Sequence, residues 1–488
     1  MSSILIASTP VIGHVTPLLA VARHLVIGGH RVRFLTGARF RSSVRETGAE
    51  FLALPADADY DDRDLAAAFP GRVGRTGPDG IRYDMSTIFL APAASQLRAV
   101  DDALIAASTD VVLFEGLFLG MLGLLSRPEY ARPKTVNLGI FPLGLDSLDT
   151  APFGLGVMPK PGVAGRIRNA ALGFVAKRVI FGGVQRTAEH FVLESTGERL
   201  EEFFLNSAAL ADAVVQFTVP GFEYPRRELA ASVHFVGPVS RTVASDHPLP
   251  GWWHELDGSR PVVHVTQGTI ANTDFDELVG PTIAGLADSD ALVVVSTGGR
   301  DVASLPHPLP ANVRAAELLP YDRLLPLTDV LVTNGGYGGV HYALEHGVPL
   351  VIAGMTEDKI EVSARVQWSG AGVNLRTNRP TAAQVREAVA RVLREPGYRE
   401  ASERLGAEIA ASDGLAGLDR AIEEVLGMGV AVTEAAVAEA AVAEAAVAEA
   451  AVSEAQRPAA ALPPPPRLLF SRSCGELPLG AACGGEVA

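Results

Sequence analysis

The feature that most constrains this chain is a long alternation of short, continuous apolar runs with segments of helical spacing. Such runs, rich in Val, Ile and Leu without polar alternation, belong to strands covered on both faces, as parallel strands are. In the first half they fall at Ser3–Ser8, His30–Gly37, Ala49–Leu54, Asp110–Gly116, Lys134–Ile140, Ala211–Val219 and Ser232–Pro238. A second series opens after the Pro/Gly-marked stretch Ser245–Pro261, at Pro261–Gln267, Ala291–Thr297, Asn312–Leu318, Val330–Asn334, Pro349–Gly354 and Gly372–Thr377. The pattern predicts an α/β protein of two doubly wound, Rossmann-like domains facing across a cleft, residues 1–240 and 261–428, joined by a linker at 241–260. The first helix is expected over Pro17–Gly29, with Pro17 in its first turn. Two more helices, at 381–395 and 416–427, are expected to close the body near Gly427, within the range given to the second domain.

The 488 residues, 48% hydrophobic and 20% charged, supply enough apolar material for two cores. A formal charge of -15 argues against nucleic acid or an anionic membrane as the main partner, because phosphate-rich surfaces need clustered Lys and Arg. Both cysteines, Cys474 and Cys483, lie beyond the body, which therefore uses no disulfide or thiolate metal site; a cytoplasmic location is expected. The most apolar stretch, Val111–Leu125, carries Glu115 and is shorter than the roughly 20 residues of a bilayer span. It reads as a strand running into a helix, and no integral membrane segment or signal peptide is expected. In residues 429–488 an "AAVAE" unit repeats before a Pro-rich stretch. Five helical residues advance about 140° beyond a full turn, so Val lines no single face, and a solvated helix or fluctuating tail is expected.

Chemistry is expected at the strand ends. In "VTNGGYGGVHYALEHG" a strand stops at Asn334, and Gly335, Gly336, Gly338 and Gly339 bracket Tyr337 at a helix start. Bare backbone and free helix N–H groups there suit a phosphate, although glycines also serve tight turns. Gly268 and Thr269 end the first strand of the same domain, where Thr269 faces the diphosphate or merely caps a helix. The loop "GMTEDK" offers Asp358 for sugar hydroxyls and Lys359 as a point charge. In "TPVIGHVTP", Gly13 frees a turn and His14 stands at the cleft edge, suited to take a hydroxyl proton. "DADYDD", Asp57–Asp62, contains a DxD-like spacing used for divalent cations, but it falls in a polar loop of the first domain, and no metal is expected.

These segments resemble the family 1 GT-B glycosyltransferases, over about Ser3 to Gly427. "GHVTP" is similar to that family's N-terminal motif, and "LLPYDRLLPLTDVLVTNGGYGGVHYALEHGVPLVIAGMTEDK" to its donor signature. The resemblance implies inverting, metal-independent transfer of a sugar from a UDP- or dTDP-linked donor to a hydroxyl of a hydrophobic small-molecule, polyketide or lipid acceptor. The nucleotide sugar would be a co-substrate, and no cofactor is expected. By that likeness His14 is the base, oriented by Glu115 where an Asp is usual, with Asp110 as the alternative acid. Leu318, Leu319, Pro320 and Tyr321 would lie against the nucleotide base. Gly268 and Thr269 with Asn334, Gly335, Gly336, Tyr337, Gly338 and Gly339 would hold the diphosphate. Asp358 and Lys359 would face the sugar. Asn334 stands where many relatives carry His, Tyr342 where plant relatives carry a ribose-binding Glu, and Lys359 where a Gln is usual. Two other readings fit these residues: a nucleotide-sugar epimerase or hydrolase of similar architecture, and a non-catalytic auxiliary protein with the same two-domain shell.

Overall fold

The computed structural model describes residues 1–239, 247–269 and 272–427; residues 241–246 of the expected linker, and the repeat, Pro-rich and cysteine-bearing tail at 429–488, lie outside them. Each expected apolar run forms a strand. The first sheet holds β1 (Ser3–Ala7), β2 (Arg31–Thr36), β3 (Glu50–Ala53), β4 (Val111–Glu115), β5 (Lys134–Gly139), β6 (Ala213–Gln216) and β7 (Val233–Phe235). The second holds β8 (Val262–Thr266), β9 (Leu292–Ser296), β10 (Val313–Ala316), β11 (Val330–Thr333), β12 (Leu350–Ile352) and β13 (Gly372–Asn374). The longer helices are α1 (Ile12–Ile27), α2 (Ala93–Ala106), α3 (Gly162–Phe174), α4 (Gly182–Thr196), α5 (Val279–Leu286), α6 (Tyr337–Glu345), α7 (Lys359–Ser369), α8 (Ala382–Arg394), α9 (Pro396–Ala411) and α10 (Leu415–Val425). No helix among the described residues is long and apolar enough to cross a membrane.

Both sheets are parallel and run in the same sense, β3-β2-β1-β4-β5-β6-β7 and β10-β9-β8-β11-β12-β13. In each, the winding reverses between the first and fourth strands, with Ala7 beside Phe114 in one sheet and Thr266 beside Thr333 in the other. Connections leave a reversal point toward opposite sides, so a crevice opens at the carboxyl ends of those two strands. The central strands β1, β4, β8 and β9 are buried along their whole length, which explains their mostly apolar composition.

Two expectations are corrected. Helix α1 begins at Ile12, so Pro17 lies inside it and not at its first turn. A carboxylate distant in sequence is the reason: Asp62 accepts the Ile12 N–H at 2.7 Å, satisfying a free donor of the first turn and fixing the start there. The last helix, α10, falls within the range given to the second domain; Leu418, Ala421 and Ile422 instead pack in the first sheet's core with Val136, Leu138 and Val215. The chain after β5 is loop as far as Pro161, after which α3 begins.

Because Ile422 is 1% exposed in that core, Ile422→Ala is expected to cost about 2–5 kcal/mol in denaturant unfolding. A loss below about 1 kcal/mol would show that α10 does not complete the first core.

Candidate active site

At the first reversal point the residues after β1 and at the end of β4 converge. Glu115 is fully buried, and a charge in that position must be compensated on every side. Its Oε1 accepts the Thr9 N–H at 3.0 Å and the Thr9 hydroxyl at 2.9 Å; its Oε2 accepts the Leu117 N–H at 2.7 Å. His14, in the first turn of α1, places Nδ1 2.9 Å from Oε2. The longer Glu side chain thus reaches the imidazole. Asp110 does not serve: it accepts the Ser3 N–H at 2.7 Å, at the amino ends of β1 and β4, opposite the cleft. Burial works against the His14 imidazolium, but the Glu115 charge and hydrogen bond, with the Asp358 and Glu357 carboxylates, hold its pKa above the ordinary value. Burial likewise works against the Glu115 carboxylate, and His14, Thr9 and Leu117 hold it below the usual range. With Nδ1–H donated to Glu115, neutral His14 keeps its lone pair on Nε2. Two other buried histidines, His264 and His341, have no such partner and are pushed down to about 4 by burial.

At the second reversal point the groups are mostly backbone. Gly335 has φ +88, and a Cβ there would meet Ile352 Cγ2 at 3.1 Å and Ser363 Oγ at 3.3 Å, so the turn requires glycine. A Cβ on Gly336 or Gly339 would meet nothing within 4 Å. The bare backbone therefore borders open space, and the N–H groups of Tyr337, Gly338 and Gly339, in the first turn of α6, have no intrahelical acceptor. Asn334 Nδ2 donates to the Gln267 carbonyl at 2.8 Å, tying this turn to the loop that carries Gly268, with φ +72, and the exposed Thr269. A pocket of about 140 Å³ lies among Gln267, Asn334, Gly354, Thr356, Lys359 and Asn378. Lys359 is buried and pairs with Glu357, a residue in the left-handed region with φ +55. Burial raises the pKa of Asp358, opposed by Lys359. A second pocket, of about 160 Å³, opens by the starts of β6 and β7, away from both reversal points.

Some expected contacts point elsewhere. Leu318 is exposed, whereas Leu319 and Pro320 are buried. The Tyr321 ring packs inward, its hydroxyl 3.3 Å from His264 Nε2 and its ring 5.9 Å from that of Tyr342 in an edge-to-face arrangement. The Tyr337 side chain turns to the first sheet, its hydroxyl accepting from Gln216 Nε2 at 3.2 Å, so only its backbone takes part in the glycine turn. The carboxylates of Asp57–Asp62 are engaged within the protein: Asp57 by Ser95, Asp59 by the Ala38 N–H, Asp61 by Arg63 and Asp62 by the Ile12 N–H.

Several functional neighbours carry no local sequence signal. Thr9 is one. Phe89 and Phe141 flank His14 at ring distances of 6.5 and 6.1 Å, and Phe153 packs on Phe141 at 5.8 Å. Between the sheets, Thr218 Oγ1 bonds His341 Nε2 at 2.7 Å, and Val219 and Phe222 share a core with Tyr337, Val340 and Leu405.

Two like-wound sheets, with an acid-oriented histidine at one reversal point and an open glycine turn at the other, define a GT-B protein. A family model described as erythromycin biosynthesis protein CIII-like, C-terminal domain, matches residues 281–425. The chain is 42% identical over 413 residues, 84% of its length and 96% of the relative's, to 4'-demethylrebeccamycin synthase of Lentzea aerocolonigenes. It is 36% identical over 439 residues, 86% of its length and 95% of the relative's, to UDP-glycosyltransferase 2 of Phaeomoniella chlamydospora. In fold it is similar to the calicheamicin glycosyltransferase CalG4, with a TM-score of 0.66, 22% identity, and coverage of 88% of this chain and 98% of that one. The chain belongs to the family 1 GT-B glycosyltransferases and is a UDP-glycosyltransferase-like enzyme.

The His14–Glu115 pair makes stability depend on pH. A His whose pKa is raised by folding adds stability that is complete below its unfolded value of 6.5 and is lost as pH climbs through the folded value. Glu115, lowered from 4.5, sets the acid edge of the window. His14→Gln is therefore expected to destabilise more at about pH 6 than at about pH 9 in urea unfolding. Equal losses at both pH values would contradict the pairing.

Proposed function

We propose that this enzyme transfers a sugar from a nucleoside diphosphate donor to a hydroxyl of a hydrophobic, ring-bearing small-molecule acceptor, with inversion at the anomeric carbon and without a metal or other cofactor. The observation that carries the reading is geometric: His14 Nδ1 stands 2.9 Å from a buried carboxylate at one reversal point, and a glycine turn borders open space at the other. Asp358 and Glu357, on the donor-side loop of the second sheet, both act on the proton affinity of His14 at the reversal point of the first. This supports a reading in which the imidazole and the donor-side loop face one cleft.

In this mechanism the acceptor hydroxyl donates to His14 Nε2. As its oxygen attacks the anomeric carbon, the proton passes to Nε2, and Glu115 stabilises the imidazolium that forms. Such general-base assistance contributes about 10²–10⁴-fold. The C–O bond to the diphosphate breaks on the opposite face, and negative charge grows on the β-phosphate. The N–H groups of Gly336 through Gly339 and the positive end of α6 are suited to stabilise that charge. Thr269 and Lys359 add a hydroxyl and a cation, while Asp358 is suited to orient sugar hydroxyls. Phe89, Phe141 and Phe153 give the acceptor side an apolar wall, consistent with a hydrophobic aglycone. Similarity to 4'-demethylrebeccamycin synthase and to UDP-glycosyltransferases supports a natural-product acceptor and a UDP-linked donor.

Two variants should separate the halves of the site. His14→Ala is expected to lose at least about 10²-fold in transfer rate while UDP or dTDP still raises the melting temperature as in the wild type. Gly339→Ala should do the opposite at the level of binding. Its Cβ meets nothing in the protein and improves a helix position by about 0.5–1 kcal/mol, so the fold is kept, while the nucleotide shift shrinks to that of at least a tenfold weaker ligand. Unchanged nucleotide binding in Gly339→Ala, or full transfer in His14→Ala, contradicts the assignment. Loss of transfer on adding EDTA would contradict metal independence, and donor consumption without acceptor would favour a hydrolase.

A further inference from the structure

Helix α7 begins immediately after Asp358, in the donor-side loop, and its next turns reach into the other half of the molecule. Glu361, 4% exposed, accepts with one oxygen the N–H groups of Gly154 at 2.9 Å and Gly156 at 2.8 Å. Both glycines take the left-handed conformation, with φ +92 and +59, which curls this turn around the carboxylate. The approach is close: a Cβ on Gly156 would stand 2.6 Å from Ile360 Cγ1 and 3.0 Å from the Ile360 carbonyl oxygen. The other oxygen of Glu361 pairs with Arg365 at 2.7 Å. Arg365, 1% exposed, continues to Glu223 at 2.9 Å, and Glu223 accepts the Leu143 N–H at 2.8 Å. The segment from Leu143 to Gly156 is thus held at both ends by charges seated on, or paired with, one helix. Phe153, which packs on Phe141 beside His14, lies within it.

A surface loop needs no buried carboxylate to exist, and a charge taken out of water is retained only where its partners repay the desolvation. Here the partners are the N–H groups of one specific turn on the acceptor side and an arginine on the donor side. We propose that Glu361 is a positioning residue that couples the donor loop to the acceptor wall: a shift of α7 when Asp358 and Lys359 engage a nucleotide sugar moves the 143–156 segment and sets Phe153 against the acceptor. The inference rests on the reading of the Gly335 turn and Asp358–Lys359 as the donor site. Coupling of this kind is physical only if one element contacts both sites and differs between the two states, and α7 meets the first condition directly.

The test is amide hydrogen exchange of the full chain with and without saturating UDP or dTDP. In the wild type, nucleotide is expected to slow exchange both at 334–339 and at 143–156. In Glu361→Ala and in Gly156→Ala, the nucleotide-dependent protection at 334–339 should remain while that at 143–156 is lost. Gly156→Ala leaves every charge in place and so guards against a variant that fails merely because the ion cluster collapses. In steady-state transfer, both variants should raise the acceptor KM about tenfold with donor KM within about twofold, a split that general loss of stability would not produce. Protection at 334–339 without any at 143–156 in the wild type, or full coupling in Glu361→Ala, overturns the proposal. If neither nucleotide protects 334–339, the donor reading falls and this proposal with it.

Discussion

The burial of one carboxylate organises the first half of the site. Glu115 ends a strand whose five residues are all buried, and nothing but local donors can hold its charge there. Thr9 supplies two of them from the turn after β1, Leu117 a third from the turn after β4, and His14 the fourth. Each donor comes from a chain segment that the strand reversal already brings together. The imidazole is consequently fixed by one nitrogen and presented by the other, and a negative partner keeps it a stronger base than burial alone would allow. His264 and His341 show the alternative outcome, since both are buried without a carboxylate hydrogen-bonded to the ring and burial holds them neutral.

The second reversal point solves a different problem with different materials. A leaving diphosphate carries its charge on several oxygens, and donors fixed in the backbone meet it without the entropy cost of ordering long side chains. The Gly335 turn tolerates no Cβ on its inner side and leaves Gly336 and Gly339 open on the other, which suits the proposed role. Between the sheets, Gln216 with Tyr337, Thr218 with His341, and Glu223 with Arg365 join side chains at the carboxyl ends of the first sheet to α6 and α7. The side chain of Tyr337 therefore serves the joint, while its backbone N–H belongs to the open first turn of α6.

Much of this was legible in the sequence. Strands buried on both faces announce themselves by composition, so every expected run formed a strand, and the glycine turn and the histidine fell at strand ends as their residue types implied. What stayed hidden depends on contacts between distant residues. Pro17 reads as a helix start because proline prefers first turns, but Asp62 caps the helix five residues earlier. Tyr321 and Tyr337 stand in the donor signature, yet only the packed structure reveals that their rings face inward. Helix α10 carries a core-forming apolar face, but nothing in its spacing says which core. The bond from Gly154 to Glu361 joins residues 207 positions apart, and no local pattern encodes it.

The central claim is a single displacement, with one base on the acceptor side and a diphosphate departing on the other. Its most direct test is the anomeric configuration of the product, read from the coupling of the anomeric proton by NMR after turnover of a donor whose sugar is α-linked to the diphosphate. A β-linked product is expected. An α-linked product would require two successive displacements and a nucleophile on the donor side, and would contradict the account.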